Sequence, residues 1–242
     1  MQAAIKEEHI KECKMLLSMP GRQENAIQAF LEKHTAFLPT PGLPNHRLHL
    51  NSIISKLPIG DRIADYAYLT KSSDEWKLVL VELEDSGKKL FTQSSKHVGF
   101  TAEMNDAIAQ VDVWRELWVD HRSTIVNSLE CLLVPPGVRR NGISLECVLV
   151  IGRSAEKDNN EARRKRLAAL RSDKSIHVMI YDTILRAVEA GFGETRAVLT
   201  KNRFRLPSSF RRRSTQSPIH LSLATASYRR FRRRRRIACR RV

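Results

Sequence analysis

The stretch that decides the fold runs from residue 61 to residue 84 and reads DRIADYAYLTKSSDEWKLVLVELE. Its two halves, Ile63 to Leu69 and Trp76 to Leu83, are rich in β-branched and aromatic residues, and the residues between them have turn composition. This pattern predicts an antiparallel β-hairpin. The second half is apolar for several residues in succession, which is typical of a strand that is covered on both faces.

Acidic residues stand where this hairpin ends. Glu82 and Glu84 close the second strand, and residues two apart in a strand project from the same face. Asp65 lies near the start of the first strand, so the hairpin could gather two or three carboxylates, whose repulsion a bound cation would relieve. Asp61 is a second candidate for the aspartate. The alternative is that both glutamates are simply solvated where the strand reaches the surface.

The stretch from Thr101 to Trp118 has the composition of a helix, with Thr101 as its N-cap. Gln110 and Trp114 are four residues apart and therefore share one face. We expect Trp114 to lie in the core. A glutamine on the same core-facing stripe needs hydrogen-bond partners, and the strand that carries Glu82 could supply them.

The remaining elements predict an α/β domain. Helices are expected over residues 3–18, 24–33 and 156–170, and after Tyr181-Asp182-Thr183 through Ala190. Strands are expected over residues 49–57, 128–134, 145–151 and 176–180.

The net charge of +16 is concentrated at one end of the chain of 242 residues. From Lys201 onward there are 15 Lys and Arg and no Asp or Glu, which leaves 27 basic and 26 acidic residues before it. Charge alone therefore does not make the body a nucleic-acid binder. Residues 201–242 are predicted to be a disordered basic tail, which either adds affinity for nucleic acid or has no such role.

The sequence also favours a cytoplasmic location. No apolar run approaches the length of a membrane span, and no secretory signal is evident near the N-terminus. The four cysteines have no metal-binding spacing and are too few for a disulfide framework, so we expect them to be reduced. Cys131 and Cys147 are predicted to lie in buried strands.

The hairpin with Asp65, its ending in Glu82-Leu83-Glu84, and the helix with Gln110 resemble the core of PD-(D/E)XK nucleases. A narrower resemblance, to the nuclease domain of Shedu anti-phage defence proteins, covers about residues 22–190. The segments that carry it most clearly are residues 60–66, 81–84, 90–92, 108–114 and 150–153.

The resemblance implies a restriction-endonuclease-like fold, with a central mixed sheet flanked by helices. Together with the composition, this divides the chain into an N-terminal helix at residues 1–20, a nuclease-like domain at residues 22–195 and the basic tail at residues 201–242. It implies a Mg²⁺-dependent DNA endonuclease of an anti-phage defence system, in which Mn²⁺ could replace Mg²⁺. The protein would form a homo-oligomer, a dimer or tetramer, and would not associate with membranes.

The resemblance also implies roles for site residues. Asp65 and Glu82 would be metal ligands together with the backbone carbonyl of Leu83, and Gln110 would belong to the catalytic set. Glu84 departs from the family pattern, which usually has a lysine there to position the attacking water. A carboxylate in that place could act as a base or as an additional ligand. On the helix at residues 24–33, Glu32 matches a glutamate that leans toward the metal site in similar nucleases.

Basic residues near this site have two readings. Lys88 and Lys89 follow the acidic cluster, and Arg163, Arg164 and Lys165 form a patch on a later helix. Each group could contact a nucleic-acid backbone or could be ordinary solvated surface.

Two other classes of function stay open. One is a catalytically inactive nucleic-acid-binding module that keeps the nuclease-like fold. The other is a protein-interaction or scaffold subunit with neither DNA binding nor cleavage.

Overall fold

The computed structural model describes residues 7–19, 24–41, 47–93, 98–129, 132–133, 142–158, 160–174, 176–200 and 203–205. All of these residues belong to the compact unit Met1–Arg205. Cys131 and residues 206–242 lie outside the described residues, so the predictions made for them stay predictions.

The described residues form an α/β structure. Its helices are α1 (Glu7–Ser18), α2 (Glu24–Lys33), α3 (Ala102–Ser128), α4 (Glu161–Lys174) and α5 (Tyr181–Glu189). Its strands are β1 (Arg47–Leu48), β2 (Ser52–Ile59), β3 (Arg62–Lys71), β4 (Trp76–Leu83), β5 (Ile143–Val150), β6 (Ile176–Met179), β7 (Ala197–Thr200) and β8 (Arg203–Arg205).

The strands form one mixed sheet in the order β6-β5-β4-β3-β2-β7-β8, with β1 paired to β3. Strands β2, β3 and β4 are an antiparallel meander, whereas β5 and β6 continue the sheet in parallel from β4, and β7 lies parallel to β2. The predicted hairpin is confirmed, with pairs from Tyr66 and Val81 to Lys71 and Trp76. The prediction of a central mixed sheet flanked by helices is therefore also confirmed.

Helices cover the sheet on both faces. Leu78 and Leu80 of β4 pack into the core formed with α3 and α4, while Val79 and Val81 pack into the core formed with α1, α2 and α5. This double burial explains the unbroken apolar run of β4, because each successive side chain enters a different core. Trp114 of α3 is fully buried, as predicted.

One predicted strand, residues 128–134, is wrong where the structure describes it. Helix α3 extends ten residues beyond the predicted end at Trp118 and finishes at Ser128, and Leu129, Leu132 and Leu133 follow it in turns that bury their side chains in the core. A short apolar run has the same composition in a strand and at the buried end of a helix, so periodicity does not separate the two.

The sheet also extends further along the chain than predicted. Strand β7 pairs with β2, and β8 pairs with β7, so the sheet includes residues after 195. The domain boundaries stay predictions. These strands have only four and three residues, and β8 is mostly arginine, so neither shows a recognisable alternation. The predicted first strand at residues 49–57 also begins later, because residues 49–51 form a 3-10 turn.

Two further expectations concern membranes and cysteines. None of the helices in the described part of the chain combines the length and apolar character needed to cross a bilayer. Cys147 is a free thiol buried in β5, as predicted, and Cys13 is buried in α1.

Candidate active site

The site begins where β3 and β4 part. Their paired register ends at Tyr66 and Val81, and Asp65 is the next residue of β3. The Asp65 side chain is 93% buried, and its Oδ2 accepts a hydrogen bond of 2.8 Å from the amide of Leu83. The side chain therefore takes over the role of a backbone acceptor, and this fixes the carboxylate at the open end of the hairpin.

Lys56 of β2 and Asp65 of β3 both lie between the register pairs Ser55–Tyr66 and Leu57–Ala64. Its Nζ is 2.5 Å from Oδ1 of Asp65, although the lysine side chain itself is 47% exposed. Lys56 has a φ of +54°, in the left-handed region that is uncommon for a residue other than glycine. The side chains of β2 change faces at this point: Ser55 contacts Glu32 of α2, whereas Leu57 packs in the core with α3.

Glu82 is the second acidic residue of the site and is 92% buried. Its Oε1 accepts a hydrogen bond from Nε2 of Gln110, so the strand that carries Glu82 supplies the partner that was predicted for this glutamine. Its Oε2 is buried and has no hydrogen-bond partner within the described structure. A buried polar oxygen without a partner is costly, and a proton or a bound cation would remove that cost.

Glu84 follows the end of β4, and its amide, its carbonyl and its carboxylate each have a partner. Its amide donates to the carbonyl of Val150 at 2.8 Å, and its own carbonyl accepts a hydrogen bond of 2.7 Å from the Tyr181 hydroxyl. Its carboxylate pairs with Lys88 four residues on. Glu84 thus brings a negative charge to the site that Lys88 partly neutralises.

The acidic groups influence one another. Burial, followed by the negative charges of Asp65 and Glu84, raises the pKa of Glu82 to about 9. The pKa of Glu24, in the first turn of α2, is also raised, first by burial and then by the same two carboxylates. Lys56 opposes both shifts. The open end of the hairpin is therefore a site with more carboxylates than lysines.

The structure offers fewer candidate metal ligands than the three carboxylates that the sequence suggested. Within the described ranges, no group of three or more His, Cys, Asp and Glu side chains is arranged to hold a metal ion. Asp65 and Glu82 remain as a pair, and the unpartnered Oε2 of Glu82 fits a hard cation. Mg²⁺ is commonly held by one or two carboxylates and keeps several waters, so such a pair is sufficient. The role of the Leu83 carbonyl stays a prediction.

Sequence reasoning missed two residues of this cluster, Lys56 and Glu24. A lysine within a strand and a glutamate in the first turn of a helix both read as solvated surface. Glu32, which the sequence suggested as the helix glutamate, instead accepts a 2.5 Å hydrogen bond from the Ser55 hydroxyl. Glu24 is therefore the α2 residue whose charge acts on Glu82. Asp61, the second candidate aspartate, is 78% exposed in its side chain.

The predicted nucleic-acid contacts are only partly accessible. Arg163 donates to the carbonyls of Glu156 at 2.7 Å and Thr92 at 3.2 Å, so its guanidinium contributes to the fold, and a DNA contact by Arg163 stays a prediction. Arg164 donates to a backbone carbonyl, and Lys165 is an exposed partner of Glu161. Lys88 is bound to Glu84, and Lys89 is exposed. DNA contacts by these last four residues stay predictions.

The raised pKa of Glu82 predicts that the metal-free protein loses stability as the pH rises. Between pH 4.5 and about 9 the folded state keeps a proton on Glu82 that the unfolded chain releases. The free energy of unfolding should therefore fall with pH, by at most about 1.4 kcal/mol per pH unit for this one group. Urea titrations of the metal-free protein and of Glu82→Gln across this range measure the effect.

The Glu82→Gln variant is the control for that slope, because other groups titrate equally in both proteins. Its neutral amide still offers an oxygen to Gln110, and the unfolding free energy should depend less on pH than in the parent. Equal pH slopes in the two proteins would show that Glu82 is ionised in the folded state.

These features define an α/β protein whose sheet is covered by helices on both faces and whose central hairpin ends in a buried acidic site. A family model described as "Shedu protein SduA, C-terminal" matches residues 21–185. The match covers more than half of the chain, so the protein belongs to this family. No curated protein matches the sequence.

Proposed function

We propose that this protein is a metal-dependent DNA endonuclease of an anti-phage defence system, with Mg²⁺ held by Asp65 and Glu82. The observation that carries the proposal is the unpartnered, buried Oε2 of Glu82, whose pKa is raised by burial and then by the negative charge of the fixed Asp65 carboxylate. Membership of the Shedu family supports the defence role. The resemblance of the hairpin and α3 to PD-(D/E)XK nucleases supports the choice of reaction.

Hydrolysis of a phosphodiester needs an activated water and compensation of the charge that develops on the phosphorus centre. A bound Mg²⁺ supplies both by lowering the pKa of water and by acting as a Lewis acid. The protein's part is to hold the donor atoms in place. The Leu83 amide fixes Asp65, and the Gln110 amide fixes Glu82.

The surroundings of the pair offer a place for a nucleic-acid strand. A pocket is lined by Arg62, Ala109, Gln110 and Val113. One of these residues, Gln110, is the hydrogen-bond partner of Glu82. The side chain of Arg62 is 59% exposed and can contact a phosphate. Exposed Lys89 lies in the segment that follows Glu84. Arg62 at the pocket and Lys89 in the segment after Glu84 are therefore the basic side chains that we propose for contacts with the substrate phosphates.

The specific observation that favours the inactive DNA-binding alternative is the ion pair between Lys56 and Asp65. A permanent internal cation on Asp65 would keep a divalent ion out. Glu84 also stands where the resemblance implies a lysine. An inactive module would still bind DNA, chiefly through phosphate contacts, and its affinity would weaken steeply with added salt.

Cleavage of supercoiled plasmid by the full chain tests the proposal. We expect nicking or linearisation with Mg²⁺ or Mn²⁺, none with EDTA, and a rate lower by about 100-fold or more in Glu82→Gln. Salt-sensitive DNA binding without cleavage in any divalent ion would support the inactive module instead. Cleavage that persists both in EDTA and in Glu82→Gln would rule out this site.

A further inference from the structure

The strongest unexplained feature of the site is Lys56. It is a non-glycine residue with a φ of +54° in the middle of a strand, between register pairs that are intact on both sides. Such a conformation is disfavoured for a residue with a Cβ and persists when the surrounding structure enforces it. Its consequence here is specific, because it places the ammonium group against Asp65.

The contact is more than an ordinary surface ion pair. The Asp65 side chain is 93% buried, and both of its oxygens are used, Oδ2 by the Leu83 amide and Oδ1 by Lys56. The lysine side chain is 47% exposed, so its ammonium group can leave without crossing the core. Asp65 is thus neutralised by a group that is free to move, at the position where a cation is expected.

We propose that Lys56 is an exchangeable counter-ion of the site: its ammonium neutralises Asp65 in the metal-free protein and gives way when a divalent cation binds there. The inference rests on the proposed function and deepens it. Once released, Lys56 carries its positive charge at the same end of the hairpin, where the substrate phosphate would approach. Its contribution is electrostatic, and no proton transfer is assigned to it.

If Lys56 and the divalent cation compete for Asp65, replacing Lys56 should strengthen metal binding and at the same time slow DNA cleavage. We expect Lys56→Gln to bind Mn²⁺ about 10-fold more tightly, because the variant removes a charge that competes with the ion for Asp65. Cleavage by the same variant should fall by about 100-fold, since the charge near the phosphate is lost. Isothermal titration of the full chain with Mn²⁺ and plasmid cleavage measure the two effects.

Two variants separate this role from a structural one. Lys56→Arg keeps the charge and should restore Mn²⁺ affinity to within about 3-fold of the parent protein. Lys88→Gln removes the lysine that pairs with Glu84 rather than Asp65, and should change Mn²⁺ affinity by less than about 3-fold. Melting temperatures without metal and with Mn²⁺ give a second measurement, in which Lys56→Gln gains more from the ion than the parent does.

The outcomes distinguish this inference from the proposed function. Metal-dependent cleavage by the parent, with Mn²⁺ affinity unchanged or weakened in Lys56→Gln, would overturn the role of Lys56 and leave the nuclease standing. Absence of Mn²⁺ binding to both proteins would overturn the inference together with the metal-dependent function. Tighter binding combined with slower cleavage in Lys56→Gln supports both.

Discussion

Asp65→Asn is expected to reduce Mg²⁺-dependent DNA cleavage by roughly 10³-fold, equivalent to about 4 kcal/mol of transition-state stabilisation. The substitution preserves the shape of the side chain, and its remaining oxygen can still accept the hydrogen bond from the Leu83 amide. What it removes is the negative charge that pairs with Lys56 and would bind the metal. Initial rates of plasmid nicking at saturating Mg²⁺ measure the loss.

The fold should survive this change. Lys56 loses its partner, but its side chain is 47% exposed and can be solvated, so the melting temperature should move by only a few degrees. Asp61→Asn is the matched control because Asp61 is four residues away on the exposed turn, 3.9 Å from Arg62. It should cleave within about 2-fold of the parent. Loss of activity in Asp61→Asn but not in Asp65→Asn would reverse the assignment of the aspartate.

The fold could be predicted best where local chemistry and tertiary structure agree. The hairpin of β3 and β4 has a turn of polar residues and a doubly buried strand, and both are visible in the sequence. Strands β7 and β8 could not be found, because their short segments are stabilised by pairing with a distant strand rather than by their own pattern. The end of α3 was mispredicted because the apolar residues there pack into the core and have the composition of a buried strand.

The site was predictable to the extent that it follows the alternation of a strand. Asp65, Glu82 and Gln110 were singled out by their positions together with the resemblance to nucleases, and the structure brings Gln110 into contact with Glu82. Lys56 could not be identified, because its left-handed conformation is imposed by the surrounding strands and no glycine or asparagine marks it. Glu24 reaches the cluster from a helix that is distant in sequence, so its charge acts on Glu82 only in the folded protein.

The second large effect is expected on stability, from Trp114→Ala. Trp114 is fully buried between α3 and the sheet, so truncation leaves a cavity in the core. We expect the free energy of unfolding to fall by about 3–5 kcal/mol. Trp118→Ala is the matched control on the same helix, because Trp118 is only partly buried and its ring lies 5.7 Å from the Arg122 guanidinium. It should cost about 1 kcal/mol.

Trp114→Phe connects this stability effect to the site. The indole Nε1 of Trp114 is buried without a hydrogen-bond partner in the described structure, so phenylalanine removes an unsatisfied donor while it keeps most of the packing. The loss should therefore be well below that of the alanine variant, at about 1 kcal/mol. Gln110 is one turn away on the same face of α3 and donates to Glu82, so a helix that stays in place keeps this hydrogen bond. Trp114→Phe should accordingly retain Mn²⁺ affinity. A loss of Mn²⁺ affinity in Trp114→Phe would mean that the indole itself, rather than the position of the helix, supports the acidic pair.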